Sequence, residues 1–380
     1  MRLEKLQITL KFFGALSRDG RGTVHVPEVS QEDSGRIAVA ANLMAPSISS
    51  TGILNMAKGL TVSGLAAALA LTSLAGASGQ TAPGVFACSV AYGRSVASSL
   101  AGRQTGTTRP PTDAEIAERS KKLLENQHHN DDALEQYERI EHHVDRTGGA
   151  APRVLDDKTY RVVPTGSGTM KLLLKDGERP VDPADYRKQL TAWEELLELM
   201  LKPDDSRTKS AYAKWQKRKD DRKELLDATH EAFLTKWGGQ ETCNGRLCDV
   251  YELQPNPNFH PRSIVQDILT RVTAKIWVDH DANQLSHGEA HVMRDISFGG
   301  GFLGKLYRGG VFSMDQREVA PGIWLPTRYQ YDFTARKFLF MYEQHQYVEA
   351  REYRHIGPPK QALALAKNEL ASGKPTYGDP

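Results

Sequence analysis

Residues 271–296, RVTAKIWVDHDANQLSHGEAHVMRDI, decide the fold. They read as two strands, Arg271 to Val278 and Gln284 to Ile296, joined by the polar turn Asp279-His280-Asp281-Ala282-Asn283. So short a link makes the pair antiparallel. The same pattern extends in both directions, with Leu247 to Leu253 before it and Leu303 to Arg317, Ile323 to Phe333 and Lys337 to Arg354 after it. Consecutive strands joined by turns form an antiparallel meander. Strands of such length must twist and curve, bending at glycines such as Gly299-Gly300-Gly301 and Gly309-Gly310. A curved sheet leaves a concave face to fill.

Upstream, Thr112-Asp113-Ala114-Glu115 is a capping box that opens a helix running toward residue 133. Tyr137 to Val144, Tyr160 to Val163 and Met170 to Leu174 then read as strands. Asp182-Pro183 is a good N-cap and first-turn pair, and Tyr186, Leu190, Trp193, Leu197, Met200 and Leu201 recur at helical spacing up to Pro203. A second helical pattern runs from about Ser210 to Trp237, with Leu225, Leu226, Thr229, Phe233, Leu234 and Trp237 on one side. The charge run Lys217 to Lys223 in its middle reads as a solvated helix face. The expected fold is α+β: a strongly curved antiparallel sheet, an incomplete β-barrel, with the long helices of 183–237 covering its concave face. Residues 358–380 read as a C-terminal tail.

On these residues the chain resembles the LolA/LolB-type periplasmic lipoprotein carriers, a superfamily that includes outer-membrane lipoprotein-sorting-like proteins. Lys275-Ile276-Trp277-Val278-Asp279, the strand from Gln284 to Ile296, and Gly322-Ile323-Trp324-Leu325-Pro326-Thr327 carry the resemblance. It spans residues 113–357 and implies a half-barrel closed by helices around an apolar cavity that holds acyl chains or another apolar ligand. Trp193, Leu197, Met200, Leu201 and Phe233 are the candidate ligand-lining residues, and core packing is the other reading of the same stripe. The implied partner is an apolar ligand or a lipidated protein, with transient membrane contact. The helical section is much longer and more charged than in the carriers, and an envelope scaffold that binds another protein is the alternative.

Composition narrows the function further. The chain has 380 residues, 39% hydrophobic and 25% charged, with 49 basic and 47 acidic side chains, so no charge excess draws nucleic acid. Residues 60–75, LTVSGLAAALALTSLA, follow Lys58 and run into Ala75-Gly76-Ala77, the layout of a secretory signal peptide cleaved after Ala77. This run is too short and too diluted with Gly, Ser and Thr to span a bilayer. Residues 1–77 are therefore a leader, with either its true start at Met56 or an unusually long n-region, and residues 78–112 a flexible linker. Seven basic and five acidic residues fall in the leader, leaving 42 of each sign in the exported chain. The expected location is the periplasm. Cys88 sits in a poor lipidation context. Cys243 and Cys248 flank Asn244-Gly245, a strong hairpin signal, and read either as a short-loop disulfide or as two free thiols.

Chemical motifs are sparse. Asp279 to Asn283 matches the first half of a calcium loop, but Gln284 and Ala290 stand where a glycine and a glutamate are required, which leaves a polar turn. His287, Glu289 and His291 share one face of a strand; they read as a polar outer face, with a metal-dependent hydrolase as the minor alternative. His128-His129 and His142-His143 read as surface residues. Gly166-Ser167-Gly168 lacks the nucleophile elbow, and no phosphate loop or dinucleotide fingerprint occurs. No catalytic residue and no cofactor is expected.

Overall fold

The computed structural model describes residues 109–149, 151–298 and 304–373. The signal peptide, the Met56 start, Cys88, Gly299 to Gly301 and all but the end of the 78–112 linker lie outside them. The elements are α1 (Asp113–Leu134), β1 (Tyr137–Arg146), β2 (Val154–Pro164), β3 (Thr169–Asp176), β4 (Arg179–Pro180), α2 (Pro183–Met200), α3 (Ser206–Ala232), β5 (Phe233–Cys243), β6 (Arg246–Pro255), α4 (Ile264–Asp267) with a 3-10 turn at Ile268–Arg271, β7 (Val272–Asp279), β8 (Leu285–Val292), β9 (Ile296–Phe298), β10 (Gly304–Leu306), β11 (Val311–Ala320), β12 (Ile323–Lys337), β13 (Phe340–His355) and α5 (Pro359–Ser372).

Helix starts follow their local chemistry. Thr112 Oγ1 accepts from the Glu115 N–H while the Glu115 carboxylate accepts from the Thr112 N–H, so two orphan donors of the first turn of α1 are satisfied reciprocally. Asp182 caps α2 through the Ala184 N–H, with proline in the first turn, and Asp205 caps α3 through the Arg207 N–H. The end of α3 departs from expectation. It stops at Ala232, and Phe233, Leu234 and Trp237 belong to β5. There Phe233, Thr235 and Trp237 pair with Pro255, Leu253 and Tyr251, so sheet packing of an aromatic and β-branched run overrides the helical spacing.

All strand pairs are antiparallel, in the order β4-β3-β2-β1-β13-β12-β11-β8-β7-β6-β5, and the sheet does not close on itself. It is not a plain meander, because β1 pairs with β13 from the far end of the chain. The expected long strands 284–296 and 303–317 are each broken. After Val292 the chain leaves β8, and β9 and β10 form a short hairpin that pairs with the end of β12. Gly309, at φ +89, then turns it back so that β11 pairs with β8. Register shifts at Glu138/Ile140, Thr159/Tyr160, Trp237/Gly239 and Asp315/Gln316 are bulges, which bend strands and increase twist.

Register assigns every helix a side. On what we call the inner face, alternate residues of β6, β7, β8, β11 and β12 bury Leu253, Ile276, Ala290, Phe312 and Phe333 against Ile116 and Leu123 of α1 and Leu225 and Leu226 of α3. Helix α2 does not share this face. Its Leu190, Trp193 and Leu197 pack with Val163 of β2, Leu172 of β3 and Ala362 and Ala366 of α5 in a second cluster on the opposite, outer face. The chain passes from one face to the other around the Pro164–Thr169 turn, where Arg218 of α3 donates to the Ser167 carbonyl. The segment read as a tail thus contributes α5 to this second core.

Part of the charge run on α3 is also not solvated. Lys219 pairs with Asp132, Arg222 with Asp131 and Glu135, and the Trp215 Nε1–H donates to Glu135, so this stretch forms a seam with α1. Burial raises the Asp131 carboxyl to about 6 against the opposing charge of Arg222.

Candidate functional site

The inner face changes character along the sheet. Over β11 and β12 it is aromatic: Phe312 stacks on Phe333 at 5.5 Å and meets Tyr331 edge-on at 6.0 Å. The apolar layer continues through Tyr329 to Val348 and Ala350 of β13. At β1 it meets charge. Register puts Glu141 beside Ala350 and Tyr160, and Arg139 beside Val162. Arg139 Nε and Nη2 donate to Glu141 Oε1 at 2.7 and 2.6 Å, while His143 Nε2 and Lys171 Nζ reach Glu141 Oε2 at 2.7 and 3.2 Å.

Two cations, Arg139 and Lys171, converge on one carboxylate. Burial alone would raise the Glu141 pKa, but Arg139, His143 and Lys171 outweigh it and hold Glu141 well below its ordinary value. Burial raises the Tyr329 and Tyr353 hydroxyls, so both stay neutral beside the guanidinium. Arg139 is 8% exposed, and its Nη1 is buried with no hydrogen-bond partner. An unused, buried guanidinium donor among more positive than negative side chains suits an acceptor-rich or anionic group. Its neighbour is an apolar surface, so the arrangement matches an amphiphile rather than a purely polar ligand.

Of the five residues expected to line a ligand, Trp193 and Leu197 are fully buried and Met200 is 3% exposed, all on α2 against the outer face. The Trp193 Nε1–H donates to the Pro164 carbonyl at 3.0 Å. Leu201 is 42% exposed, and only Phe233 lies in the inner layer. The structure therefore does not bring the five together. Arg139 and Glu141 escaped the sequence reading because charges alternating along a strand look like a solvated face. The available signal was that Glu138 and Arg139 put charge on both faces of one strand.

The His287 strand lies on the outer face. His287 Nδ1 bonds Asp315 at 2.6 Å and Nε2 bonds Glu289 at 3.1 Å, Arg328 pairs with Asp315, and Trp277 meets the imidazole edge-on at 4.7 Å. Burial lowers the His287 pKa, but the hydrogen bonds and charges of Asp315 and Glu289 outweigh it and push it up to about 9. With both nitrogens donating, this imidazolium has no lone pair for a metal or a proton. His291 is exposed, and its charge acts on Glu289; among the described residues no cluster of three or more His, Cys, Asp or Glu side chains is arranged to hold a metal. Asp279 accepts from the Asp281 and Ala282 N–H groups and pairs with Arg246, which is the chemistry of a turn. Cys243 and Cys248 are bridged across the β5–β6 hairpin, with Cα atoms 6.0 Å apart.

A raised histidine pKa stabilises the fold below the unfolded value of 6.5, and this contribution disappears as pH rises through about 9. The stability difference between the wild type and His287→Gln is accordingly expected to be largest at pH 6 and to shrink toward pH 10. Urea unfolding across that range checks it, and a pH-independent difference contradicts the assignment.

Fold and site together define an α+β protein with an open antiparallel sheet, an apolar inner layer and a buried polar end. No protein-family model matches the chain, and no curated protein matches it. Among solved structures it is similar to a domain from Vibrio parahaemolyticus assigned to outer membrane lipoprotein sorting: 12% identity, TM-score 0.25, covering 66% of this chain and 98% of that one. It is also similar to a DUF1329 family protein from Desulfovibrio piger, at 10% identity and TM-score 0.23, covering 62% and 92%. A LolA superfamily protein from Nitrosomonas europaea matches at 10% identity and TM-score 0.27, covering 64% and 96%. At these identities and TM-scores, similarity assigns neither ligand nor activity to this chain. Among the described residues no helix is long and apolar enough to cross a membrane.

Proposed function

We propose that this protein is a non-enzymatic periplasmic carrier or binding protein for an amphiphile, its apolar part held between the inner face and helices α1 and α3 and its polar head at Arg139. The observation that carries this reading is the buried, unpartnered Arg139 Nη1 at the end of the aromatic layer formed by Phe312, Tyr331 and Phe333. A lipid or a lipidated protein fits that chemistry. The inner layer is filled by Leu225 and Leu226 of α3, so loading requires this helix to move. The same filling favours a second reading, an envelope scaffold that carries no ligand.

Native mass spectrometry of residues 78–380 from a periplasmic fraction, with organic extraction, separates the two. A carrier retains a near-stoichiometric acyl lipid that is lost in Arg139→Met and Phe333→Asp but kept in Trp193→Phe, whose side chain lies on the outer face. A ligand-free wild type overturns the carrier reading in favour of the scaffold.

A further inference from the structure

Eleven large apolar side chains are exposed among the described residues, and all but Leu201 and Leu247 lie at the end of the sheet where β12 turns into β13. Pairing fixes this placement. Val154 is opposite Arg146, which is opposite His345 near the start of β13, and the Met293 N–H bonds the Arg271 carbonyl just before β7. The turn itself is the extreme point: Leu339 is 83%, Phe340 78% and Met341 60% exposed. β12 leaves β11 at Asp332 but stays paired with β13 as far as Lys337 and Phe340, so the tip projects about 16 Å further at ~3.3 Å per residue. Among the described residues only the short strands β9 and β10 accompany it.

Two features identify what the tip meets. Successive residues of a strand point to opposite sides, so Phe340 and Met341 make the ribbon apolar on both sides, with Leu339 in the turn beyond them. A groove on a protein partner covers one side of a ribbon; an apolar liquid phase covers both. Around the base of the tip the charge is positive. Lys305, which pairs with Asp295 at 2.7 Å, stands directly opposite Arg336 across the β10–β12 pair, and with Arg308 and Lys337 the cations here outnumber that carboxylate. Arg308, whose backbone N–H donates to Asp295, is exposed, and Lys337 forms no ion pair among the described residues. Tyr307 and Tyr342 flank the same level, as amphipathic rings do at a membrane interface.

We infer that the β12–β13 tip, with the cations at its base, is a docking device for an anionic lipid bilayer, inserting Leu339, Phe340 and Met341 among the acyl chains. The interaction is reversible and peripheral, since three apolar residues reach only the headgroup–acyl boundary. It requires no ligand in the inner layer, so it stands or falls independently of the carrier reading.

The test is co-sedimentation of the full chain with phosphatidylcholine vesicles with and without phosphatidylglycerol. Binding is expected to rise about tenfold with the anionic lipid, and to fall about tenfold in Leu339→Asp/Phe340→Asp and in Arg308→Glu/Lys337→Glu. Because these side chains are at the surface, circular dichroism of both variants should match the wild type. Leu339→Trp reads insertion directly: brominated lipids should quench its emission beyond the wild-type background, an effect the leader cannot mimic. Equal sedimentation of the wild type and the aspartate variant, absence of the extra quenching, or a tip-dependent dimer in solution overturns the inference.

Discussion

Replacing Arg161 by leucine is expected to lower the unfolding free energy by about 3–5 kcal/mol, the cost of leaving a buried carboxylate without its cation. Arg161 has no solvent exposure, and its partners Glu138 and Glu369 are 3% and 0% exposed at the side chain. Its Nη1 and Nη2 donate to Glu369 at 2.7 and 3.0 Å, Nε and Nη2 donate to Glu138 at 2.9 and 2.6 Å, and Nη1 also reaches the Tyr186 hydroxyl. The guanidinium lies 5.5 Å over the Trp193 ring, so its face is used as well as its edge. Glu138 keeps a second cation, Arg354, whereas Glu369 loses both of its hydrogen bonds from the guanidinium. The double substitution Arg161→Leu/Glu369→Leu is therefore expected to recover much of the loss, because a buried ion pair and an apolar pair of similar volume are often close in stability. Denaturant unfolding of the wild type, both single variants and the double variant forms the cycle. A loss below about 1 kcal/mol for Arg161→Leu would show that this ion cluster is not what ties α5 and β1 together.

Trp193→Ala is expected to cost about 3–5 kcal/mol, the usual range for truncating a buried aromatic. The outer cluster around it is small, with Val163, Leu172, Leu190, Leu197 and Ile356 as its larger members, so little neighbouring chain can collapse into the vacated volume. Trp193→Phe should cost about 1–2 kcal/mol, chiefly because the Pro164 carbonyl loses its only indole donor. Chemical unfolding measures both. If the phenylalanine variant abolished lipid retention while remaining folded, the outer cluster and not the inner layer would be the ligand seat.

The two predictions fall on a core that the sequence reading placed elsewhere. Helical spacing of Leu190, Trp193 and Leu197 identified α2 and its apolar stripe correctly, but a stripe does not say which surface it meets. The answer depends on β2 and β3, whose Val163 and Leu172 face it, and on α5, where a 14-residue helix forms in a segment that reads as a tail. Phe233 illustrates the converse. At helical spacing from Thr229 it belongs equally to a helix, and only pairing with β6 makes it a strand residue.

By itself the sequence determined the α+β class, the antiparallel pairing around residues 271–296, the capped start of α1 and the β5–β6 hairpin, because these rest on interactions between residues close in the chain. Tertiary structure decided the rest. Pairing of β1 with β13 joins segments near opposite ends of the described chain; it carries Arg139 and Glu141 to the apolar layer of β12 and β13 and puts α2 and α5 on the other side of the sheet. Burial of those charges is a consequence of long-range register, which no local pattern encodes.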